Sequence, residues 1–537
     1  MRQLLTTALL FLLTLSVTAQ TQEKKITVTE NIAYRTDVGP STVLDLAQPQ
    51  FGPQTNRPAI LIIHGGGWSA GSKNDMVYRT LMIDYALKGY VVCNMNYRLT
   101  QEAPLPACIE DVRCAIRWMK AHAQQLGIDP QRIGTYGHSA GGHLSLMAGV
   151  AAESKAFADE KDPWKQYDCT IACAAGGAPP TEIGRAGAWA EHTEWWPIGY
   201  IGKSKTPFLV LQGGEDPVVR PNLTEDWVLK MQRAGSAVDY VKVHGQHGVA
   251  FDQQLEFTRP AMDAFYARHL KHEDPTVSFE QMKVVEFGGS GPHKAVAVRE
   301  KSLSDFVVYR PMMMRGKMPV LIFCNGGCMD TSIGYENMLS DIASYGYVVV
   351  AIGELQMLAQ HEKDQHTPSS MVQKALNWIC NPNSPYYNYI DTDKIAAAGH
   401  SCGGAQVLAN ASDPRLKTYL ILNAGMGQIT MADASTKSLK NLHGPILYLV
   451  GGTTDVAWQN AQADYKAIKR VPVVLADNTQ SGHGGTYEQP NGGANARMVR
   501  AWLDWQFKDK KENETLFIGG NLTGYEGFTI KHKNYKK

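Results

Sequence analysis

The sequence predicts an α/β fold twice over: two tandem domains, each a mostly parallel sheet flanked by helices. The first observation is a duplicated motif, because residues 137–141 and 399–403 both read Gly-x-Ser-x-Gly. The second is the alternation of short apolar runs, typical of buried parallel strands, with helical patterns such as residues 109–123. The third is length, since 537 residues are too many for one hydrophobic core.

The duplication extends well beyond the two serine motifs. Other segments match in the same order along the chain, so each copy is predicted to be a whole domain and not a short repeat unit. The matching pairs of segments are residues 59–67 with 319–327, 88–92 with 345–349, 129–133 with 391–395, 208–214 with 446–452, and 246–248 with 482–484.

A polar stretch that ends in a proline, residues 272–275, is the predicted boundary between the domains. Each domain is expected to open with an extended segment, residues 25–29 in the first and 283–287 in the second. The resulting division is a signal peptide at residues 1–19, a first domain at 20–273, a second domain at 274–510 and a C-terminal tail at 511–537.

The first nineteen residues have the pattern of a secretory signal peptide. They carry one arginine, an apolar run over residues 8–17, and Val17-Thr18-Ala19 before Gln20. The apolar run is short for a membrane span, no later run is long enough to cross a bilayer, and no cysteine follows the cleavage site to carry a lipid. We expect a secreted or periplasmic protein, with an uncleaved signal anchor as the alternative.

The charge balance argues against a nucleic-acid partner. The formal net charge is +1, and the basic residues cluster only in the lysine-rich end of the chain, residues 531–537. Nucleic-acid-binding domains carry a basic patch or stripe that this sequence lacks elsewhere.

The nine cysteines do not form a pattern typical of a disulfide-rich protein. Cys169 and Cys173 lie in a predicted strand, where four residues span about 13 Å. Cys108 and Cys114 lie on one predicted helix, about 9 Å apart along its axis. Both separations exceed the reach of a disulfide. We expect mostly buried free thiols and at most one bridge.

The motif of the first half predicts a serine nucleophile on a tight turn between a strand and a helix. Such a serine needs a base to take its proton and an acid to orient the base, and α/β hydrolases supply them in the order serine, acid, histidine. We predict the triad Ser139, Asp216 and His247. Glu215 is the alternative acid, and His244 is the alternative base.

A glycine-rich loop, His64-Gly65-Gly66-Gly67, follows the predicted strand at residues 60–63. Glycines let backbone amides approach a substrate oxygen closely, and this loop resembles the HGGG oxyanion loop of lipases and esterases. We predict that the amides of Gly65, Gly66 and Ala140 form the first oxyanion hole.

Further segments of the first half look like the hormone-sensitive-lipase-like esterases, and most like the branch with bacterial feruloyl and acetyl xylan esterases. These segments are residues 96–99 (Asn-Tyr-Arg-Leu), 102–106, 110–118 and 127–130. The resemblance covers about residues 57–152, with weaker support to residue 251. It implies an α/β-hydrolase fold and the family's catalytic roles for Ser139, Asp216 and His247.

Four tryptophans are candidate substrate-binding residues. Trp68 flanks the glycine loop, whereas Trp189, Trp195 and Trp196 lie between nucleophile and acid, where this fold inserts loops that contact substrate. Exposed indole rings there are expected to stack on a sugar or an aryl acyl group, and the alternative is that they fill the core. His143, one helical turn after the nucleophile, is expected to be a packing or helix-surface residue.

The second half repeats the order of the first with the predicted triad Ser401, Asp455 and His483. Asn325 replaces the histidine of the glycine loop and Cys328 replaces its third glycine, so the two halves belong to different subfamilies. The predicted oxyanion donors are the amides of Gly326, Gly327 and Cys402.

Several segments of the second half look like the dienelactone-hydrolase, chlorophyllase and polyester-hydrolase branch of the α/β hydrolases. They are residues 323–327, 334–335, 343–351 and the serine motif, within a resemblance that covers about residues 320–485. The resemblance implies the fold but little about the substrate. A second domain that only binds is the alternative.

No metal or cofactor is expected. His361, Glu362 and His366 form H-E-x-x-x-H, one residue longer than the zinc motif H-E-x-x-H. On a helix the two histidines would diverge by about 140°, so a polar loop is expected instead.

Together these patterns predict an exported tandem serine esterase without a cofactor, which acts on an ester-bearing carbohydrate or a small ester. The favoured substrate is plant polysaccharide such as xylan, with acetyl released by one domain and feruloyl by the other. One alternative is a serine peptidase of the prolyl-oligopeptidase type. The other is a single active esterase domain joined to a non-catalytic, carbohydrate-binding hydrolase-like domain.

Overall fold

The computed structural model describes residues 25–183, 189–248, 255–273, 281–356 and 365–535. The predicted signal peptide and the histidine-glutamate pair at 361–362 lie outside these residues. Within the described ranges, no helix has both the length and the apolar character needed to cross a membrane.

The described part of the first half contains eight strands and six α-helices. The strands are β1 (Ile26–Ala33), β2 (Val43–Pro49), β3 (Arg57–Ile63), β4 (Val91–Met95), β5 (Ile128–His138), β6 (Cys173–Gly177), β7 (Phe208–Gly213) and β8 (Val238–Val243). The helices are α1 (Met76–Leu87), α2 (Ala107–Ala121), α3 (Ala123–Leu126), α4 (Ala140–Val150), α5 (Pro221–Arg233) and α6 (Leu255–Tyr266).

The strands of the first half pair in the order β1-β2-β4-β3-β5-β6-β7-β8. The pairs β1/β2 and β2/β4 are antiparallel, and every later pair is parallel. β3 is fully buried along its whole length, as expected for a continuous apolar run covered by helices on both faces of a parallel sheet.

In the residues that the structure describes, the second half continues with ten strands and six α-helices. The strands are β9 (Gln281–Lys283), β10 (Ala295–Arg299), β11 (Phe306–Pro311), β12 (Met318–Cys324), β13 (Val348–Ile352), β14 (Ile390–His400), β15 (Leu416–Leu422), β16 (Ile446–Val450), β17 (Val473–Asn478) and β18 (Phe528–Lys533). The helices are α7 (Glu336–Ser344), α8 (Met371–Ile379), α9 (Cys402–Ala409), α10 (Trp458–Ala467), α11 (Gly493–Phe507) and α12 (Glu512–Phe517).

From β10 onward the second half repeats the strand order of the first. Its strands pair in the order β10-β11-β13-β12-β14-β15-β16-β17, with antiparallel pairs only at β10/β11 and β11/β13. The strands that lead into the two serines, β5 and β14, even share one pattern of buried and exposed positions along eleven residues. The predicted tandem α/β fold is therefore confirmed.

The short strand β9 joins the two sheets. It pairs in parallel with β8 and antiparallel with β10, so hydrogen bonding runs without a break from one half to the other. The predicted opening strand at residues 283–287 is wrong, because β9 ends at Lys283 and β10 occupies the position that β1 has in the first half. Val296 and Val298 of β10 also pack into an apolar cluster of the first half.

The predicted C-terminal tail at 511–537 is also wrong, since its described part belongs to the second sheet. β18 adds an antiparallel edge strand to β17. Leu516 and Phe517 of α12, together with Phe528 of β18, are buried in the core of the second half. Apolar residues spaced for a helix and then a strand explain why this segment packs and does not trail into solvent.

The cysteines follow the expectation of mostly free thiols and at most one bridge. A single disulfide joins Cys328 to Cys402. The remaining seven cysteines are free, and all but the half-buried Cys380 are buried.

Candidate active sites

Each predicted nucleophile lies on a sharp turn between a strand and a helix. Ser139 follows β5 and precedes α4 with φ 56° and ψ −122°, and Ser401 follows β14 and precedes α9 with φ 52° and ψ −118°. Such backbone angles are strained for any residue other than glycine. The turn is so tight that a Cβ on Gly137 would lie 2.0 Å from the carbonyl oxygen of Gly141. The flanking glycines are thus required by close backbone contact.

In the second half, the three predicted triad residues form one chain of hydrogen bonds. The Ser401 hydroxyl lies 3.0 Å from Nε2 of His483, and Nδ1 of His483 lies 2.7 Å from Oδ1 of Asp455. Because the carboxylate can only accept, Nδ1 carries the proton, and in the neutral ring Nε2 accepts from the serine. This tautomer is the one a general base needs.

The carboxylate of Asp455 is fully buried and held by donors on both oxygens. Oδ2 accepts from the Gly451 amide at 3.0 Å and from the Asn423 side chain at 2.8 Å. Oδ1 accepts from the Ala457 amide at 2.9 Å in addition to His483. These bonds fix the orientation of the carboxylate and thereby that of the histidine.

In the first half, Nδ1 of His247 lies 2.8 Å from Oδ2 of Asp216. Oδ1 of Asp216 accepts from the amides of Val218 and Val219 at 2.8 and 2.9 Å. Burial alone would raise the pKa of Asp216, but the hydrogen bonds from His247 and these amides outweigh it and lower the pKa below its ordinary value. Asp216 is therefore an anion suited to orient His247.

The two sites differ at the last link of the triad. Among the described residues, no hydrogen bond joins the hydroxyl of Ser139 to His247, whereas the corresponding bond is present between Ser401 and His483. Catalytic hydrogen bonds are often long or poorly aligned without substrate and tighten only in the complex. The second site is thus assembled without a ligand, and the first has its acid and base in place.

The alternative acid and base of the first half pair with each other. Nδ1 of His244 lies 3.6 Å from the carboxylate of Glu215, which also accepts a hydrogen bond from the Gly245 amide. The geometry therefore favours Asp216 and His247 as the acid and the base.

One group of described residues could hold a metal ion. Ligand atoms of Glu215, His244 and Glu286 lie within 4.8 Å of one another. Both carboxylates are exposed, and exposed acidic groups of this kind are common without a metal, so we assign no metal there. The backbone of His366, the last residue of the H-E-x-x-x-H motif, forms an isolated antiparallel bridge with that of Met329.

The histidine before each nucleophile supports the catalytic base, a role not anticipated from the sequence. Nε2 of His138 donates to the carbonyl of His247 at 2.6 Å, and Nε2 of His400 donates to the carbonyl of His483 at 2.8 Å. Burial lowers the pKa of both supporting histidines to about 4, which keeps them neutral at pH 7. The sequence feature that could have indicated this role is the histidine shared by both serine motifs, which each read Gly-His-Ser.

The predicted oxyanion holes need one correction in each half. The Gly65 amide donates to the hydroxyl of Tyr78 at 2.6 Å, and the Gly326 amide donates to the hydroxyl of Tyr335 at 3.0 Å. Tyr335 in turn lies 2.9 Å from Nδ1 of His400. Because their protons are already engaged, Gly65 and Gly326 brace the loop and do not face the substrate.

The remaining predicted donors keep their amide protons available. Within the described parts of the chain, no intramolecular acceptor is bonded to the amides of Gly66 and Ala140 in the first half, or of Gly327 and Cys402 in the second. Gly67, one position beyond the predicted pair, lines the same cleft as Ser139. Each site therefore retains at least two amides for a developing oxyanion.

A cleft of about 460 Å³ opens beside Ser139. Its walls combine the glycine loop, the segment after β6 and the segment after the acid, and they are largely apolar. The lining residues are Gly67, Trp68, Ser139, Pro180, Thr181, Glu182, Ile183, Trp196, Val218, Val219, Arg220 and Leu223.

Of the four candidate tryptophans, two line the cleft and two pack against neighbouring aromatic rings. Trp68 and Trp196 line the cleft, although Trp196 is only 2% exposed, and their rings pack edge to face with centroids 5.6 Å apart. Trp189 and Trp195 do not line this cleft and are partly buried against the core of the first half. Trp189 packs against Trp68, and Trp195 stacks on His192.

His143 is a buried packing residue, as expected, and it ties two loops together. Nε1 of Trp68 donates to Nδ1 of His143 at 3.1 Å, and Nε2 of His143 donates to the carbonyl of Trp195 at 2.7 Å. Burial lowers the pKa of His143 to about 4. A neutral ring between these partners fixes the glycine loop relative to α4.

Comparison with known families separates the two halves. Residues 44–193 match the BD-FAE family, and residues 281–427 match the Chlorophyllase family.

Curated relatives resemble parts of the chain. The probable carboxylic ester hydrolase LipM of Mycobacterium tuberculosis is 27% identical over 284 residues, which are 49% of this chain and 63% of that protein. The carboxylesterase NlhH of the same species is 41% identical over 101 residues, 18% of this chain and 31% of that protein. The match spans 63% of the length of LipM and 31% of the length of NlhH, which is less than two thirds of either relative.

Solved structures resemble part of the chain as well. A truncated carbohydrate esterase from gut microbiota covers 46% of this chain and 96% of its own, with 24% identity and a TM-score of 0.41. The esterase Est2 of Thermogutta terrifontis covers 44% of this chain and 91% of its own, with 25% identity and a TM-score of 0.40.

Proposed function

The chain is a tandem α/β-hydrolase, and from that premise we propose that it hydrolyses carboxylic esters at two serine sites. The observation that carries the proposal is the hydrogen-bonded chain from Ser401 through His483 to Asp455 beside two available amides. The first half supports it with the pair His247 and Asp216 next to Ser139. The family matches of both halves and the similarity to curated esterases agree with this chemistry.

The proposed order of events follows from the geometry of the second site. Ser401 attacks the ester carbonyl as Nε2 of His483 takes the hydroxyl proton, and the buried Asp455 stabilises the imidazolium that forms. The amides of Gly327 and Cys402 bind the oxygen that becomes negatively charged. His483 then gives its proton to the leaving alcohol, and a water molecule activated by the same histidine releases the acid from the acyl-serine.

The proposed substrates are acetyl and feruloyl esters of plant polysaccharide. The resemblance of the first half to feruloyl and acetyl xylan esterases supports this choice. The apolar cleft beside Ser139, with Trp68 on its wall, supports it as well, because indole rings stack on sugars and aryl groups. The division of acetyl and feruloyl between the two halves is part of the proposal.

Export is the accompanying proposal. Residues 1–19 have the pattern of a cleavable signal peptide. N-terminal sequencing of the protein from its native host tests it: a mature chain that begins at Gln20 is expected, and retention of Met1 would contradict cleavage.

The test of function compares wild type, Ser139→Ala and Ser401→Ala on p-nitrophenyl acetate, methyl ferulate and acetylated xylan. We expect each variant to lose a different activity, because each removes one nucleophile and leaves the other site intact. If Ser139→Ala abolishes all turnover and Ser401→Ala none, the second half is a binding or structural domain. If wild type releases neither acetate nor ferulate from xylan fragments, the proposed substrate is wrong.

A further inference from the structure

We propose that the Cys328–Cys402 disulfide is a positioning element of the second active site, which holds the two amide donors of its oxyanion hole in register. The inference rests on the proposed function of Ser401. It makes turnover in the second half, but not in the first, dependent on an oxidised cysteine pair.

The two cysteines occupy the two sides of the oxyanion hole. Cys402 directly follows Ser401, and its own amide is one of the available donors. Cys328 directly follows Gly327, whose amide is the other donor. The disulfide brings the two Cα atoms to 5.1 Å, so it links the glycine loop covalently to the first residue of α9. Any shift of one donor relative to the other has to stretch or bend this link.

The first half achieves the same connection by a different contact. Gly67 and Ala140 stand where the second half has Cys328 and Cys402, so no disulfide can form. The loop is tied instead by the hydrogen bond from Nε1 of Trp68 to Nδ1 of His143, one turn into α4.

The second half cannot form this hydrogen bond. Met329 and Ala405 occupy the positions of Trp68 and His143. The second half therefore joins loop to helix with a covalent bond where the first half uses a hydrogen bond.

The glycine loop of the second half has other anchors, so we expect it to stay folded when the disulfide is lost. The carbonyl of Cys328 accepts from the amide and the hydroxyl of Thr367 at 2.7 and 3.0 Å. The Asn325 side chain donates to the carbonyls of Met329 and Ile352 at 2.9 and 2.7 Å. What the disulfide adds is accuracy, and a displacement of about 1 Å in a catalytic group lowers turnover by roughly 100-fold.

Reduction by dithiothreitol is the direct perturbation. A thiolate of the reagent attacks one sulfur of the disulfide, and the second thiol of the reagent completes the exchange. Two protein thiols form, and the dithiol is oxidised to its cyclic disulfide. Cys402 is partly exposed, whereas Cys328 is 3% exposed, so attack is expected at Cys402.

The experiment uses the full-length Ser139→Ala protein, in which turnover of p-nitrophenyl acetate reports the second site alone. We measure kcat and KM before and after reduction, with intact mass to confirm the gain of two hydrogens. Reduction is expected to lower kcat by roughly 10- to 100-fold and to leave KM within about twofold, because the donors act on the transition state. In Ser401→Ala protein, the same treatment is expected to leave turnover at the first site unchanged.

A matched variant separates positioning from general stability. Cys328→Gly with Cys402→Ala, in the Ser139→Ala background, gives the second half the residues that the first half carries. We expect the same loss of kcat, no further response to dithiothreitol, weaker binding of a trifluoromethyl ketone, and an unchanged circular dichroism spectrum.

Two results would overturn the inference while the proposed function stands: undiminished kcat after verified reduction, or wild-type kcat in the double variant. A loss of folded signal that accompanies the loss of kcat would also overturn it, because the disulfide would then be a stabilising link only. If oxidised Ser139→Ala protein shows no turnover, the proposed function of the second site fails and the inference fails with it.

Discussion

At the residue scale, three buried histidines stand beside the candidate nucleophiles without being catalytic. His138 and His400 brace the carbonyls of the catalytic histidines, and His143 braces the glycine loop of the first half. Each is kept neutral by burial, so each contributes a hydrogen-bonding ring of fixed tautomer. This arrangement makes the support of the two sites sensitive to pH.

The first prediction is a loss of stability in mild acid. Burial lowers the pKa of His138, His143 and His400 to about 4, from an ordinary value of 6.5. Between these values the unfolded chain binds protons that the folded chain does not, so stability is fully present above pH 6.5 and falls toward pH 4. Each histidine contributes up to about 1.4 kcal/mol per pH unit in this window.

Urea unfolding between pH 7.5 and 4.5 measures the effect. The control is His143→Gln, which keeps a donor and an acceptor but does not titrate, so its pH dependence is expected to be shallower than that of wild type. A free energy of unfolding that stays flat across the window, or a variant with an unchanged slope, would contradict the prediction.

The second prediction concerns the adjacent acids of the first half. Asp216→Asn removes the negative charge that orients His247 and stabilises its protonated form, so kcat at the first site is expected to fall by roughly 10⁴-fold. Glu215→Gln is the matched control, because Glu215 contacts His244 and the Gly245 amide.

Steady-state assays in the Ser401→Ala background read the first site alone. Near wild-type kcat is expected for Glu215→Gln. Equal losses in the two variants would show that the roles of the two carboxylates have been assigned wrongly.

At the element scale, the strand-turn-helix units determine the sites. β5 with α4 and β14 with α9 hold their serines at nearly the same backbone angles, although the glycine loops of the two halves differ at Asn325 and Cys328. The constraint is steric, because the strand and helix backbones approach so closely that only glycine fits between them.

The third prediction tests this close approach. A Cβ on Gly399 would lie 2.2 Å from the carbonyl oxygen of Gly403, so Gly399→Ala is expected to displace Ser401 and abolish turnover at the second site. Gly484 is the control, since a Cβ there meets nothing within 4 Å. Gly484→Ala is expected to keep most activity. Turnover in Ser139→Ala background measures both, and an active Gly399→Ala protein would disprove the steric argument.

The sequence predicted those elements whose own residues decide their structure. Continuous apolar runs such as β3 and β12 are buried on both faces, so composition alone identifies them. β9 was missed because three residues of mixed polarity become a strand only through the neighbours on either side.

The site residues also divide into those that their own sequence determines and those that depend on distant contacts. The triad residues were predictable from the serine motif and from the order serine, acid, histidine along the chain, because the fold determines which strand ends carry them. Only the first predicted donor of each glycine loop, Gly65 or Gly326, was wrong, because the bracing hydroxyls of Tyr78 and Tyr335 come from outside the loop. No local pattern in the loop indicates that its first amide is already bonded.

At the scale of the whole molecule, β9 joins the sheets of the two halves into one continuous sheet. Met282 is fully buried and pairs with Val241 of β8 on one side and Val298 of β10 on the other. An ion pair between Lys294 and Glu256 adds a contact between the halves at the surface.

The fourth prediction concerns the junction that β9 forms between β8 and β10. Met282→Asp places an unpaired charge between the sheets, so we expect the two halves to unfold in separate transitions where wild type unfolds in one. Differential scanning calorimetry measures the change, with Lys294→Ala as a surface control that keeps a single transition. Two transitions in wild type, or one in Met282→Asp, would rule the prediction out.

The junction at β9 also determines where the chain can be cut to obtain a well-behaved fragment of the first half. An edge strand with unpaired backbone groups is a template for aggregation, and proteins usually cover such edges. β9 covers the last strand of the first half, although it lies beyond the boundary at residue 273. A fragment that ends at that boundary therefore leaves the backbone groups of β8 unpaired and is prone to aggregate. A fragment extended through β9 and β10 keeps β8 covered.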